Sequence, residues 1–417
     1  MPTTHAILAP SASKRWMTCT PSARLEAQVP SKETAYTREG TIAHSMAEAL
    51  LNIAIEQSWI SWPDDFVEKF EMALNVAGEG GKLADIFTPL RQAVDDAKAE
   101  DLDPWEMMTT VSDNYCRFVY EDFLESHKED PYTVLLIEQK LKLDEYIPEG
   151  FGSSDAVLIY GGTLQVYDLK YGKGVKISAK DNPQMKCYAL GAILGPGELY
   201  DLATIKMTII QPRLAWVSTE ETTYWDILQW ASEELRPAAV LAYQGGGDFN
   251  PGDHCRFCNV APRCKALAAK ASQLNTNRGD TALMTNAEIT EALTNAQQLK
   301  SWLAALEAYA LEKALEGETF PGFKVVEGRS VRQISDQVAA MQTLEDAGFD
   351  EASYIRPKEL KTISDLEKLL KKKGFKELLS KYVVKPQGKP ALVRESDPRP
   401  AIGSVNGAME DFKEYTK

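Results

Sequence analysis

The chain has 417 residues and a formal net charge of −15, with 44% hydrophobic and 26% charged residues. Its composition is typical of a globular protein, and no apolar run reaches the roughly 18 residues of a membrane span. The net charge argues against a protein coated in nucleic acid, although a groove can still be locally basic. The first residues, MPTTHAILAPSASKRW, lack the apolar core of a signal peptide, so we expect a cytoplasmic location.

The sequence predicts both helices and strands, and we expect an α/β fold. The first elements are a helix from Thr41 to about Ile55 with Thr41 as N-cap, an acidic and mostly helical stretch over 65–130, and strands at Tyr132–Leu143, Asp155–Tyr160 and Thr163–Lys170. They are followed by a helix opened by Asn182-Pro183, strands near 204–217 and a helix near 222–243. After a polar linker over 271–282 come a helix from Ala287 to Leu315, a short strand pair over Pro321–Ile334, helices over 335–384 and an extended tail. We therefore expect a domain over 1–270, a mainly helical C-terminal region over 283–390 and a tail over 391–417.

Gly161-Gly162 between two alternating runs predicts a β-hairpin, because a type I′ turn needs positive φ at both central positions. In that register Asp155 faces Asp168, with Cβ atoms about 5 Å apart. Lys170 lies on the same face as Asp168, and the rest of this face is apolar. Opposed carboxylates at the end of an apolar face call for a cation, and oxygen ligands suit Mg²⁺ or Mn²⁺. The alternative is an ion-paired hairpin end without catalytic meaning.

Four short motifs occur in order around this hairpin: Gly40-x-x-x-His44, Gly152-x-x-Asp155, Asp168-x-Lys170 and Gln184-x-x-x-Tyr188. Each is weak alone, but the ordered set resembles the PD-(D/E)xK nuclease superfamily, in its RecB-like exonuclease branch. The resemblance spans about residues 10 to 270 and implies a restriction-endonuclease-like core, a mixed sheet flanked by helices. The whole chain looks like a phage or prophage family within this branch, acting in the bacterial host cytoplasm.

The resemblance also implies roles for individual residues. The divalent ion would be held by His44, Asp155, Asp168 and the Leu169 carbonyl, with Lys170 as the catalytic lysine. Glu138, one strand upstream, matches a further acidic position and joins the catalytic set. Gln184 and Tyr188 are expected to contact DNA. The activity implied is metal-dependent hydrolysis of DNA, as an exonuclease, in phage recombination or end processing. A phage single-strand-binding or annealing protein is then a conceivable second partner, and an oligomer is conceivable too.

Cys255, Cys258 and Cys264 form a C-x₂-C-x₅-C cluster that indicates a metal site lacking one ligand. Candidates for the fourth ligand are Cys19, His254, Cys187 and Cys116, and the last two read most simply as core residues. Some RecB-like nucleases hold a [4Fe–4S] cluster with three C-terminal cysteines and one distant N-terminal cysteine, which is the place of Cys19 here. Zn²⁺ is the chemical rival.

The segment from Arg356 to Lys389 has 11 basic and 4 acidic residues, a local charge of +7 that leaves −22 on the remainder. Lys368, Lys372 and Lys376 recur at i,i+4 spacing, which predicts one basic stripe on a helix and a DNA contact. A solvated helix face is the alternative. For the whole chain, the rivals of a nuclease are a metal-stapled DNA-binding protein with an inactive nuclease fold and a structural protein with mere ion pairs at the hairpin.

Overall fold

The structure is a computed structural model, and it describes residues 6–29, 34–77, 85–273, 286–327, 333–356, 359–384, 390–394, 399 and 401–402. The chain divides into two compact units, 1–298 and 299–417. The first contains the expected α/β domain, and the boundary falls inside a long helix rather than in the polar linker. Most of that linker lies outside the described residues.

Helices and strands follow one another along the chain in roughly the predicted order. The helices are α1 (Ser13–Thr18), α2 (Ser22–Glu26), α3 (Ala35–Glu56), α4 (Phe66–Ala77), α5 (Thr88–Ala99), α6 (Pro104–Val111), α7 (Arg117–Glu129), α8 (Pro183–Ile193), α9 (Tyr224–Trp230), α10 (Arg236–Gln244), α11 (Lys265–Gln273), α12 (Asn286–Leu315), α13 (Gln337–Asp346), α14 (Glu351–Tyr354) and α15 (Ile363–Leu379). The strands are β1 (Val134–Lys142), β2 (Phe151–Tyr160), β3 (Thr163–Leu169), β4 (Thr204–Gln211), β5 (Trp216–Thr223), β6 (Phe323–Glu327), β7 (Gln333–Ile334), β8 (Ile355–Arg356), β9 (Glu359–Leu360), β10 (Val383–Val384) and β11 (Pro390–Arg394).

The first five strands form one mixed sheet in the order β1-β2-β3-β4-β5, in which only the β3–β4 pair is parallel. One face packs against α3 and the helices from α4 to α7, and the other packs against α8, α9 and α10. The fold is therefore α/β, with a mixed central sheet flanked by helices and a helical C-terminal region.

The predicted hairpin is confirmed. Gly161 and Gly162 have φ of 47° and 77°, as a type I′ turn requires. The pairs run from Tyr160↔Thr163 to Ala156↔Tyr167, which brings Asp155 and Asp168 to the open end of the same two strands. β2 begins earlier than predicted, at Phe151, and is thus long enough to pair with β1 beyond the hairpin.

Two boundaries in the first unit differ from the prediction. The helix that carries His44 begins at Ala35 rather than Thr41, because Thr34 is its N-cap and forms a capping box with Thr37. The strands predicted near 204–217 extend further, because β5 runs to Thr223, and the helix predicted near 222 therefore starts at Tyr224. That helix and α10 are joined by a π-helical turn over Ala231–Leu235.

The second unit has a small core in which α13, α14 and α15 contribute residues such as Leu344, Tyr354 and Leu366. The predicted strand pair over 321–334 is wrong in its partners: β6 pairs with β11 and β7 pairs with β10. The predicted extended tail therefore begins with a paired strand. Over the described parts of the chain, no helix is long and apolar enough to span a membrane.

The predicted basic stripe needs a correction. Helix α15 is interrupted at Lys371, where the backbone has φ of 53° and ψ of 158°. The interruption separates Lys368 from Lys372 and Lys376, so an i,i+4 spacing no longer places the three on one continuous helical face. The expectation that they contact DNA stays a prediction.

Candidate functional site

The sheet carries the predicted acidic residues, with Glu138 in the middle of β1, Asp155 in the middle of β2 and Asp168 next to the end of β3. Helix α3 brings His44 to Glu138 and Asp155. The ligand atoms of His44, Glu138 and Asp155 all lie within 4.8 Å of one another. His44 reaches this place because the apolar side of α3, including Met46, Ala47 and Leu50, is buried on the sheet. The His44 Nδ1 atom lies 2.9 Å from Asp155 Oδ1, within hydrogen-bonding distance.

Asp155 is held from two sides. Its Oδ1 faces His44, and its Oδ2 accepts a hydrogen bond of 2.6 Å from the Leu169 N–H. Leu169, expected as a ligand through its carbonyl, thus touches the site here through its N–H. Burial alone would raise the pKa of the Asp155 carboxyl, but His44, the Leu169 N–H and Lys170 together lower it. Asp155 is therefore a carboxylate.

Asp168 is almost fully buried and is bound by Lys170 and Gln184. Lys170 Nζ lies 3.0 Å from Oδ1 and 2.8 Å from Oδ2, and Gln184 Nε2 donates to Oδ1 at 3.1 Å. The contact between Lys170 and Oδ2 is an ion pair without hydrogen-bond geometry, so Oδ2 has no hydrogen-bond donor among the described residues. Burial raises the pKa of Asp168, Lys170 opposes that shift, and Asp155 adds to it.

Gln184 and Tyr188 form a hydrogen-bonded chain that ends on Asp168. Asn182 caps α8 by accepting from the Gln184 N–H, as its position before Pro183 predicts. Gln184 Nε2 donates to Tyr188 Oη at 3.0 Å as well as to Asp168. Both residues, predicted to contact DNA, therefore position a carboxylate in the structure, and Tyr188 is buried.

Glu138 reaches the cluster through an unusual backbone. Its φ is 47°, a left-handed conformation that non-glycine residues rarely adopt. The alternation of β1 changes there: Leu136 packs on the α8 side before it, whereas Leu141 packs on that side after it. Simple alternation along β1, which would place Leu136, Glu138 and Lys140 on one face, is therefore broken at Glu138.

Glu138 also differs from Asp155 in its proton affinity. Ser153 donates to Glu138 Oε2 at 3.0 Å, which favours the carboxylate form. Burial and the neighbouring Asp155 charge nevertheless raise the pKa of Glu138 to about 7. Burial lowers the pKa of His44, but Asp155 more than compensates and raises it to about 9. Without an ion, the site is therefore a network in which His44 and Lys170 offset the two aspartates.

This arrangement fits a divalent cation. An imidazole and two carboxylates already converge, and the Asp168 carboxylate lies beside them in an ion pair with Lys170. Carboxylate and imidazole ligands suit Mg²⁺, Mn²⁺ and related ions. The close group contains Glu138 rather than Asp168, so Glu138 is a stronger ligand candidate than the sequence indicated.

The second predicted centre combines cysteines from near both ends of the first unit's sequence. Cys19, Cys255, Cys258 and Cys264 line one cavity, together with His254. Cys116 and Cys187 lie instead in the two cores that flank the sheet, as predicted, so neither is the fourth ligand. Cys19 and His254 remain as candidates for that role.

Backbone amides point at the clustered sulfurs. The Gly252 N–H donates to Cys255 Sγ at 3.4 Å, the Leu267 N–H donates to Cys264 Sγ at 3.5 Å, and Val260 supplies a backbone hydrogen bond to Cys258. Burial raises the pKa of the Cys258 thiol to about 12. A thiolate here thus depends on such amides and on a metal.

The model of the family described as a protein of unknown function, DUF2800, matches residues 5–400. The chain belongs to the DUF2800 family. The matched range includes both the carboxylate cluster and the cysteines, so both centres lie within the DUF2800 match.

Sequence reasoning missed two contributors to the first centre of this DUF2800 chain, Ser153 and Tyr115. Ser153 binds Glu138, and Tyr115 is a fully buried neighbour whose hydroxyl has no hydrogen-bond partner among the described residues. A π-helical turn over Ser112–Cys116 carries Tyr115, and no local sequence signal marks it. Glycine at position 152 of the predicted motif has a steric explanation, because a Cβ there would lie 2.8 Å from Pro10 Cγ. A Cβ at Gly40 would meet no atom within 4 Å.

Proposed function

We propose that this chain is a divalent-metal-dependent DNA nuclease, acting as an exonuclease in phage DNA recombination or end processing. The observation that carries the proposal is the convergence of His44, Glu138 and Asp155 beside the buried ion pair of Asp168 and Lys170. The ordered motifs that resemble the RecB-like branch of the PD-(D/E)xK superfamily supply these same residues. The family match does not decide between this activity and its rivals.

His44, Glu138, Asp155 and Asp168 are the residues that would hold the ion, and the Leu169 carbonyl stays a predicted ligand. A bound divalent ion activates water and stabilises the charge that develops on the scissile phosphate. Lys170 is the partly exposed cation of the site, and its ammonium can donate to a phosphate oxygen. Gln184 and Tyr188 fix the Asp168 carboxylate, so that its orientation is set before substrate arrives.

We propose also that Cys19, Cys255, Cys258 and Cys264 hold a [4Fe–4S] cluster. The shared cavity and the amide donors to Cys255 and Cys264 support a bound metal, the resemblance to RecB-like nucleases favours the cluster, and Zn²⁺ stays the alternative. His254 is the competing fourth ligand.

The deciding experiment incubates the protein with Mn²⁺ or Mg²⁺ and two substrates, end-labelled linear duplex DNA and closed circular DNA. An exonuclease degrades the linear substrate and leaves the circle intact, and a chelator abolishes the activity. Asp155→Asn is the matched inactive control. Binding of DNA without cleavage under all metals would favour the inactive DNA-binding protein. Absence of any divalent-ion binding would leave only the ion-pair interpretation.

A further inference from the structure

The loop between Lys170 and α8 carries a concentration of positive charge in an acidic protein. From Leu169 to Lys180 the chain has four lysines, at 170, 173, 176 and 180, and no acidic residue. Lys173, Val175 and Lys176 are exposed. We call residues 171–180 the basic arch; Asp181, which follows it, is paired with Lys186. Its Gly-Lys-Gly sequence lacks the spacing of a nucleotide-binding loop, so ATP does not explain it.

The basic arch is anchored at both ends. Tyr171 is buried in the core on the α3 side of the sheet, and Ala179 is buried in the core on the α8 side. Ile177 packs against that second core as well. The exposed residues from Gly172 to Lys176 therefore stand between two fixed points.

Side chains from β4 and β5 hold the second half of the arch by its backbone. Gln211 accepts from the Ile177 N–H at 2.6 Å and donates to the Val175 carbonyl at 3.1 Å. Trp216 Nε1 donates to the Ile177 carbonyl at 2.9 Å, and Ser218 accepts from the Ala179 N–H at 3.0 Å. This backbone is thus fixed by specific hydrogen bonds, although it belongs to no strand.

The anchoring also orders one of the lysines. Lys176 Nζ lies 4.4 Å from the centroid of the Trp216 ring, a cation–π contact. Trp216 therefore binds the backbone of the arch through its indole N–H and the Lys176 ammonium through its ring. Lys173 follows Lys170 by three residues, so its Cα lies within about 11 Å of the Lys170 Cα. That distance is comparable to a few nucleotide steps along one strand.

We propose that the basic arch is a preorganised DNA-backbone contact, in which Lys173 and Lys176 bind phosphates flanking the one at Lys170. That the bound polyanion is DNA rests on the proposed function. Because the half of the arch that carries Lys176 is fixed before binding, Lys176 contributes its charge at a reduced cost of ordering the loop, and Lys173 lies three residues before it in the same arch.

The test measures DNA binding in a chelator, so that no cleavage occurs, across a range of salt concentrations. Removing one lysine–phosphate interaction should make the slope of log K against log salt shallower by about 0.9 for duplex DNA. Lys173→Ala/Lys176→Ala should therefore make the slope shallower by about two such increments, and its affinity at low salt should fall at least about tenfold. The matched control is Lys98→Ala/Lys128→Ala, which removes two exposed lysines from α5 and α7 and should leave the slope nearly unchanged.

A second variant tests the anchoring itself. Trp216→Phe keeps an aromatic ring under Lys176 but removes the hydrogen bond to Ile177. Affinity should fall about three- to tenfold with the salt slope retained, since the charge count is unchanged.

Cleavage by the parent protein, measured separately, distinguishes the two proposals. A parent that cleaves DNA while the double lysine variant keeps the parental slope would overturn the arch and leave the nuclease standing. A parent that never cleaves but whose slope becomes shallower in the variant would support the arch alone. A parent that does not bind DNA would overturn the arch, whatever its cleavage assay gives.

Discussion

Lys170 and Asp168 form a partly buried ion pair at the proposed catalytic centre, and their roles in stability and activity can be separated. Replacing Lys170 by Met leaves the Asp168 carboxyl buried without its cation. We expect the free energy of unfolding to fall by about 2 kcal/mol, below the range for a fully buried pair because Lys170 is partly exposed. Cleavage should fall at least about a hundredfold.

Asp168→Asn/Lys170→Met is the control for that loss of stability. It removes both charges, so most of the lost stability should return while cleavage stays absent, as urea unfolding and a nuclease assay would measure together. A Lys170→Met protein that cleaves at the parental rate would contradict the catalytic assignment. Equal stability of the single and double variants would contradict the importance of the ion pair.

Tyr115 and Tyr120 are a natural pair for testing a buried hydroxyl. Both are buried in the same core, but the single hydroxyl proton of Tyr120 has two carbonyl acceptors in reach, that of Trp59 at 2.8 Å and that of Ala54 at 3.0 Å. The Tyr115 hydroxyl has no partner among the described residues. Tyr120→Phe should lower the free energy of unfolding by about 1 to 1.5 kcal/mol, whereas Tyr115→Phe should leave it unchanged or raise it by up to about 1 kcal/mol. Similar losses for both variants in urea unfolding would mean that Tyr115 does have a partner in the folded protein.

Among the elements, the β2–β3 hairpin depends most directly on its turn. Gly161 and Gly162 both have positive φ, and a Cβ at Gly162 would also meet the Asp201 carbonyl at 3.2 Å. Around Gly161 there is open space, and asparagine tolerates this conformation. Gly161→Asn should therefore change the free energy of unfolding by less than about 0.5 kcal/mol. Gly162→Val should lower it by about 1 to 2 kcal/mol, and chemical denaturation of the two variants would show whether the order is reversed.

The same hairpin shows what local sequence rules can predict. Its register follows from two glycines and strict alternation, so the position of Asp155 and Asp168 just beyond the last pair, Ala156↔Tyr167, could be counted from the sequence. The position of Glu138 could not, because a left-handed residue inside β1 inverts the alternation and has no marker such as glycine. The partners of β6 and β7 likewise depend on tertiary packing and could not be predicted locally. The interruption of α15 at Lys371 means that the regular lysine spacing in the sequence does not follow one continuous helix.

At the scale of the whole chain, the two ends of the α/β unit are held together beside the cysteines. Thr20 donates to the Gly246 carbonyl at 2.7 Å, and Glu26 accepts from the Asn259 N–H at 2.8 Å. Gly247 allows this approach, since its φ is 89° and a Cβ there would lie 2.2 Å from Thr20 Oγ1. Three spaced cysteines predicted a metal from sequence alone, but only the fold brings Cys19 to them.

A cluster bound by Cys19 and the C-terminal cysteines would close a loop of more than 200 residues. In the chain-entropy description, a cross-link over so long a loop stabilises the folded state by about 4 kcal/mol or more, although strain and residual structure reduce this. The anaerobically purified protein should therefore be brown, absorb at about 400 nm and lose stability when the cluster is bleached by oxidation. Cys19→Ser should lose the colour and be about 3 kcal/mol less stable than the intact parent.

Comparison with the bleached parent distinguishes the loss of the cluster from the loss of the Cys19 side chain itself. Bleached parent and Cys19→Ser should unfold at the same urea concentration, because each lacks the same cross-link and the exchange of sulfur for oxygen at one position is small by comparison. Cys116→Ala, in the core of the same unit, should keep the colour although it loses packing. A colourless parent holding one zinc per chain would transfer the site to zinc. If a bleached parent kept its full stability, the cysteines would not join the two ends of the unit.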